Sequence, residues 1–181
     1  AFVSDEKGVG SVEEALAGAR DIVAEHLSED ADIRAFVREA FSKQAMLHSE
    51  AIPEAAQRPT KFEQYYDFSE AVSTIPSHRF LALRRGEREN VLRVRVVLDA
   101  DRVLPVLNDK MHLNSRSQFA QELMNAIEDG YTRLLEPSVE TDVRVDLKLR
   151  SDRDAVEVFA SNLRNLLSIT DNEGKTFLTN N

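Results

Sequence analysis

Residues 91–98 alternate Leu92, Val94, Val96 and Leu98 with Arg93 and Arg95, the period of a half-buried β-strand. No other stretch of the 181 residues repeats that pattern as cleanly, and helical periodicity dominates the remainder. A single strand leaves its own N–H and C=O groups unpaired, so any fold of this chain must provide a strand partner. Three sources are open: residues 46–52 of the same chain, a region outside it, or a second copy.

Around the strand the pattern is helical. Ser11-Val12-Glu13-Glu14 has the form of a capping box, predicting a helix from there to about Leu27 with Val12, Leu16, Ala19, Val23 and Leu27 on one face. Ser28 followed by Glu29, Asp30 and Asp32 repeats the start signal and opens a second helix carrying Ile33, Phe36, Val37, Ala40 and Phe41. Such a short turn implies a helical hairpin or the first half of a helix-turn-helix. Periodicity fades over residues 46–60, where Pro53 and Pro59 bracket a polar stretch that reads as a loop. Residues 61–68 read as a short helix whose aromatics, Phe62, Tyr65, Tyr66 and Phe68, are packing residues.

Pro76 marks the next helix entry, with Ser77 as N-cap and Gly86 as the left-handed residue that ends it. A short helix over residues 101–111 holds Pro105 in its first turn. Another opens at Ser115 or Ser117 and carries Phe119, Leu123, Ala126, Ile127, Leu134 and Leu135. Pro137 predicts a break or kink at Glu136, followed by a long helix from Ser138 to about Leu167 with Val139, Val143, Leu147, Val156, Phe159, Leu163 and Leu166 on its apolar side. The expected fold is therefore mainly α, a multi-helix assembly with a helix-turn-helix-like hairpin and one or two short β-strands. Its expected parts are an N-terminal helical hairpin (1–52), a helical scaffold with a short strand (61–167) and a disordered or non-native tail (168–181).

Charge narrows the function classes. The chain carries a net charge of -9, which disfavours a polyanion-binding surface overall. Between His78 and Arg95, however, stand six arginines (Arg79, Arg84, Arg85, Arg88, Arg93, Arg95) and two acids (Glu87, Glu89), a local balance of 6 - 2 = +4. A guanidinium offers two parallel donors to one phosphate, so these six are the candidate nucleic-acid contacts. Intramolecular ion pairs with the interleaved acids would give the same sequence. On the last helix Arg144, Lys148, Arg150, Arg153 and Arg164 alternate with acids, the composition of a solvated face.

Enzymatic signatures are missing. There is no Gly-rich phosphate loop, no H-E-x-x-H and no G-x-S-x-G, and the four histidines (His26, His48, His78, His112) lack a helical i, i+4 partner. Ser77 and His78 are neighbours on a helix and point about 100° apart, a poor arrangement for proton sharing. No catalytic residue, metal ligand or cofactor is expected. Zero cysteines exclude a disulfide scaffold and suit a reducing cytoplasm. The first residues show no secretory signal, and no window approaches the ~18 apolar residues of a spanning helix, so a cytoplasmic protein without a membrane partner is expected.

Three ordered segments carry a more specific message: GVGSVEEALAGARDIVAEHLSED near the start, IPSHRFLALRRGERENVL in the middle, and YTRLLEPSVETDVRVDLKLRSDRDAVEVFASNLRNLL near the end. Together they resemble the Tex family of bacterial transcription accessory proteins from about Gly8 to Leu167. The resemblance implies the helical N-terminal part of a longer protein, with a helix-turn-helix element, that leads into an RNase H-like domain, helix-hairpin-helix modules and an RNA-binding barrel. It also implies RNA or DNA binding through the intact protein, a transcription role, and partners associated with RNA polymerase. From Ser168 onward the resemblance ends. The expectation is a non-enzymatic scaffold with auxiliary phosphate contacts; the alternative is a protein-interaction module of the transcription machinery without direct nucleic-acid binding.

Overall fold

The computed structural model describes residues 8–167, and the tail expected at 168–181 lies outside them. In chain order the elements are α1 (Val12–Glu29), α2 (Ala31–Gln44), β1 (Met46–Ala51), β2 (Asp67–Ala71), α3 (Ser77–Arg88), β3 (Leu92–Val97), α4 (Leu104–Lys110), α5 (Ala120–Asp129) and α6 (Glu136–Leu167). The fold is mainly α with one small antiparallel sheet. Strand order is β2-β1-β3, so β3 finds its partner in β1, within the chain and at residues 46–51. The Ala51 N–H donates to the Tyr66 carbonyl (3.0 Å) and the Val72 N–H to the Ala45 carbonyl (3.0 Å), which sets β1 against β2 in opposite directions.

β2 is a correction to the sequence reading, which placed a helix over residues 61–68. Only Glu63–Tyr65 makes a helical turn, a 3-10 one, before the chain extends. The aromatics do pack: Phe62 and Tyr65 are buried, and the Tyr65 and Phe68 rings meet edge to face at 5.3 Å.

Residues group into two compact units, each assembled from separated stretches. The first comprises Ala1–His48, Ser69–Ser73 and Arg95–Arg144. Here Ser11 caps α1 as expected, its Oγ accepting from the Glu14 N–H at 3.1 Å. α2 is capped by Asp30, whose carboxylate accepts from the Asp32 and Ile33 N–H groups at 2.9 Å, so α1 runs two residues past Leu27 before the chain turns. α1 packs chiefly on α5 and on the π-helical turn Gly130–Leu135 that follows it. Only glycine fits at position 130, because a Cβ there would stand 2.8 Å from the Ala24 Cα.

Of the break or kink expected at Glu136, the break does not occur: Glu136 keeps helical angles (φ -57, ψ -51) and α6 starts there, directly after the π-helical turn. The wider i→i+5 turn immediately before Pro137 relieves the clash between the proline ring and the carbonyl four residues back, and the helix passes through.

The second unit comprises Ser49–Phe68, Thr74–Val94 and Val145–Asn181. Its core gathers Phe62, Tyr65, Ile75, Phe80, Leu83, Leu92, Val94 and Leu147. Two local expectations change within it. Ser77 is not the N-cap of α3; Pro76 holds that position, without a side-chain cap bond, and the Ser77 hydroxyl donates to Asp154 Oδ2. Gly86 does not end the helix either. It is buried inside α3 because a Cβ would come within 2.5 Å of Leu92 Cδ1, while Asn90 (φ 55) takes the left-handed conformation beyond the helix end.

Candidate nucleic-acid interface

Alternation of apolar and basic residues on α3 decides which side chains are available. Phe80, Leu83 and Gly86 turn into the core, which leaves Arg84, Arg85 and Arg88 outward, with Arg84 and Arg88 one turn apart. Facing them is the middle of α6, tied to the entry of α3 by two bonds. One is the Ser77 to Asp154 hydrogen bond. The other runs from Arg150 Nη2 to the Ile75 carbonyl at 2.9 Å.

Between the two helices lies a cleft of about 590 Å³ lined by Leu81, Arg84, Arg85, Glu87, Arg88, Lys148 and Asp152. Four cations and two acids line it. Arg84 pairs with Glu87 and Lys148 with Asp152, both exposed or half-buried. Arg85 donates to Glu89 at 2.8 Å, and Lys61 reaches the same carboxylate at 2.9 Å. Those two donors, Lys61 foremost, hold the Glu89 carboxyl below the usual carboxylate range. Among the described residues Arg88 has no hydrogen-bond or ion-pair partner.

Exposed ion pairs of this kind contribute only about 0–1 kcal/mol each. An incoming phosphate can therefore replace Glu87 or Glu89 on its arginine at small cost, and the planar fork gains a bidentate acceptor. The acids interleaved with the arginines do pair with Arg84 and Arg85, and among the described residues Arg88 is the one arginine of the cleft lining without such a partner.

Of the six candidate arginines, only Arg84, Arg85 and Arg88 line this cleft. Arg79 is exposed on the first turn of α3, outside the lining. Arg93 is exposed on β3, 3.9 Å from the Glu50 carboxylate. Arg95 is exposed and belongs to the first unit. Lys148 was not among the candidates, since the mixed charge of its helix reads as a solvated face. Its i, i+4 spacing to Asp152 was legible, but its approach to α3 depends on residues far apart in sequence.

A second groove, of about 440 Å³, shares Leu81 with the cleft and is lined by Ser77, His78, Asp154, Ala155, Val158, Phe159 and Asn162. Among the described residues no group of three His, Asp or Glu is placed to hold a metal ion. No helix among them is long and apolar enough to cross a membrane.

Residues 1–159 match the family described as Tex central region-like. The chain is similar to the uncharacterized protein YdcI of Bacillus subtilis, 34% identical over 98% of this chain and 25% of that protein. It is similar to Protein tex of Bordetella pertussis, at 31% identity over 98% of this chain and 24% of that protein. Transcriptional accessory protein Tex of Neisseria gonorrhoeae is 31% identical over 84% of this chain and 21% of its own length. The chain thus spans about a quarter of the length of the curated relatives it matches.

Proposed function

Since this chain belongs to the Tex central region-like family, we propose that it forms a non-enzymatic, mainly helical scaffold within a cytoplasmic transcription accessory protein and adds auxiliary phosphate contacts to RNA or DNA. Arg84, Arg85, Arg88 and Lys148 make those contacts, with Arg79, Arg93 and Arg95 contributing at most long-range attraction. The observation that carries this reading is the approach of Lys148 on α6 to the three arginines of α3 across one cleft, which concentrates positive charge on a chain whose net charge is -9. A cleft focuses such a field, so local potential rather than net charge governs the encounter. RNA polymerase-associated proteins are the protein partners on this reading.

Binding of labelled single-stranded RNA, single-stranded DNA and duplex DNA, followed by fluorescence anisotropy, tests the proposal. Replacing Arg84 and Arg85 together by alanine weakens binding to each nucleic acid about equally, because phosphate contacts carry no sequence information. Unchanged affinity makes both arginines structural. A second reading, a protein-interaction module, is favoured by the exposed apolar residues on α6, and binding to polymerase components with no nucleic-acid affinity would select it.

A further inference from the structure

α6 carries a second apolar stripe that its own unit does not use. Val145, Leu149, Val156, Phe159, Leu163 and Leu166, with Asp152 between Leu149 and Val156, step by four and three residues in strict alternation. Each of the six apolar side chains is 44% to 69% exposed. The opposite side of the same helix faces inward, with Leu147 and Ser151 buried and Asp154 bound to Ser77. Two stripes on one helix therefore divide the work, one packing the unit and one left facing outward.

An alternation of four and three averages 3.5 residues, the period at which one helix lays knobs into the holes of another. A sheet edge or a flat surface has no use for that spacing. A parallel second copy of this helix is disfavoured by its charges, since Asp152 would face Asp152 and Lys148 would face Arg153 of the partner, like on like. What the comparisons add is length: the chain aligns over 98% of itself with relatives of which it covers 25% and 24%.

We propose that residues 145–166 are a docking seam for an α-helix supplied by the rest of a family-length polypeptide. That helix carries its own apolar seam and sets a basic or amide side chain opposite Asp152. The proposal goes beyond the phosphate reading: its seam shares Asp152, the partner of Lys148, with the cleft but takes in none of the cleft's cations, and positions 156, 159 and 163, where it is tested, lie outside the cleft lining.

The absence of cysteine from the sequence gives a clean test. Phe159→Cys, Leu163→Cys and, on the opposite face, Ser161→Cys are made singly in the 181-residue chain and in a family-length polypeptide that contains it, and the rate of thiol labelling is measured. Val156→Cys provides a further seam position; Val156, Phe159, Ser161 and Leu163 are all exposed, so the substitutions spare the core. In the 181-residue chain all label fast and independently of protein concentration. In the longer polypeptide the seam thiols label at least about tenfold more slowly, while Ser161→Cys is unchanged. Seam thiols that label equally fast in both overturn the proposal. Equal slowing at Ser161→Cys does so too, as does protection in the 181-residue chain that is lost on dilution, which would assign the seam to a second copy.

Discussion

Ser77 donates its hydroxyl to the carboxylate of Asp154, joining the first turn of α3 to α6. Four residues earlier on α6, Arg150 closes a parallel link to the Ile75 carbonyl. This pair of bonds fixes the two helices at the point from which the cleft opens, so a residue that looks like a helix cap acts between helices. Ser77→Ala should lower stability by about 1.5–3 kcal/mol, the range for a hydrogen bond to a charged group. Ser77→Asp separates the two roles. An N-cap tolerates aspartate, whereas here it sets two carboxylates against each other and should destabilise more than alanine does, as read from urea unfolding midpoints.

Gly86 makes a second prediction. Gly86→Ala improves helix propensity, yet its Cβ would overlap Leu92, and overpacking of this kind costs about 1–3 kcal/mol. Combining it with Leu92→Ala should give less loss than the sum of the single changes, because the smaller residue vacates the contested space. Additive losses in the double-mutant cycle would place the strain elsewhere.

Glu136 predicts a pH dependence. Burial pushes its carboxyl above the ordinary value of 4.5, and the charge of Glu140 adds to the shift. The native state therefore holds this proton more tightly than the unfolded chain does, and native stability falls as pH rises from 4.5 through the raised value. Glu136→Gln should stabilise the protein at neutral pH and lose that advantage below pH 4.5, where both carboxyl states are protonated. Thermal midpoints of the two proteins across that window give the answer.

Much of this fold was legible in the residues, and the misreadings share a cause. The alternation of β3 and the Ser11 cap are local patterns that nothing in the tertiary structure overrides, whereas residues 46–51 were one of three partners left open for β3 and lie in a stretch that reads as a loop. Ser77 and Gly86 also carry valid local signals, a polar residue at a helix entry and a glycine near a helix end. Asp154 claims the one and Leu92 the other, and both partners lie outside the helix. β2 was missed because four aromatics at near-helical spacing, three before it and one inside it, lead into a strand of only five residues. Lys148 was missed for a related reason: charge spacing along α6 says which way a side chain points, and only the packing of α3 supplies what it points at.

The central claim is that Arg88 and Lys148 meet phosphate in the cleft, and the salt dependence of single-stranded RNA binding tests it most directly. Each lost phosphate contact on a single strand reduces the slope of log affinity against log salt by about 0.7, so Arg88→Ala combined with Lys148→Ala should flatten it by about 1.4. A double variant that keeps both the wild-type slope and the wild-type affinity would contradict the account.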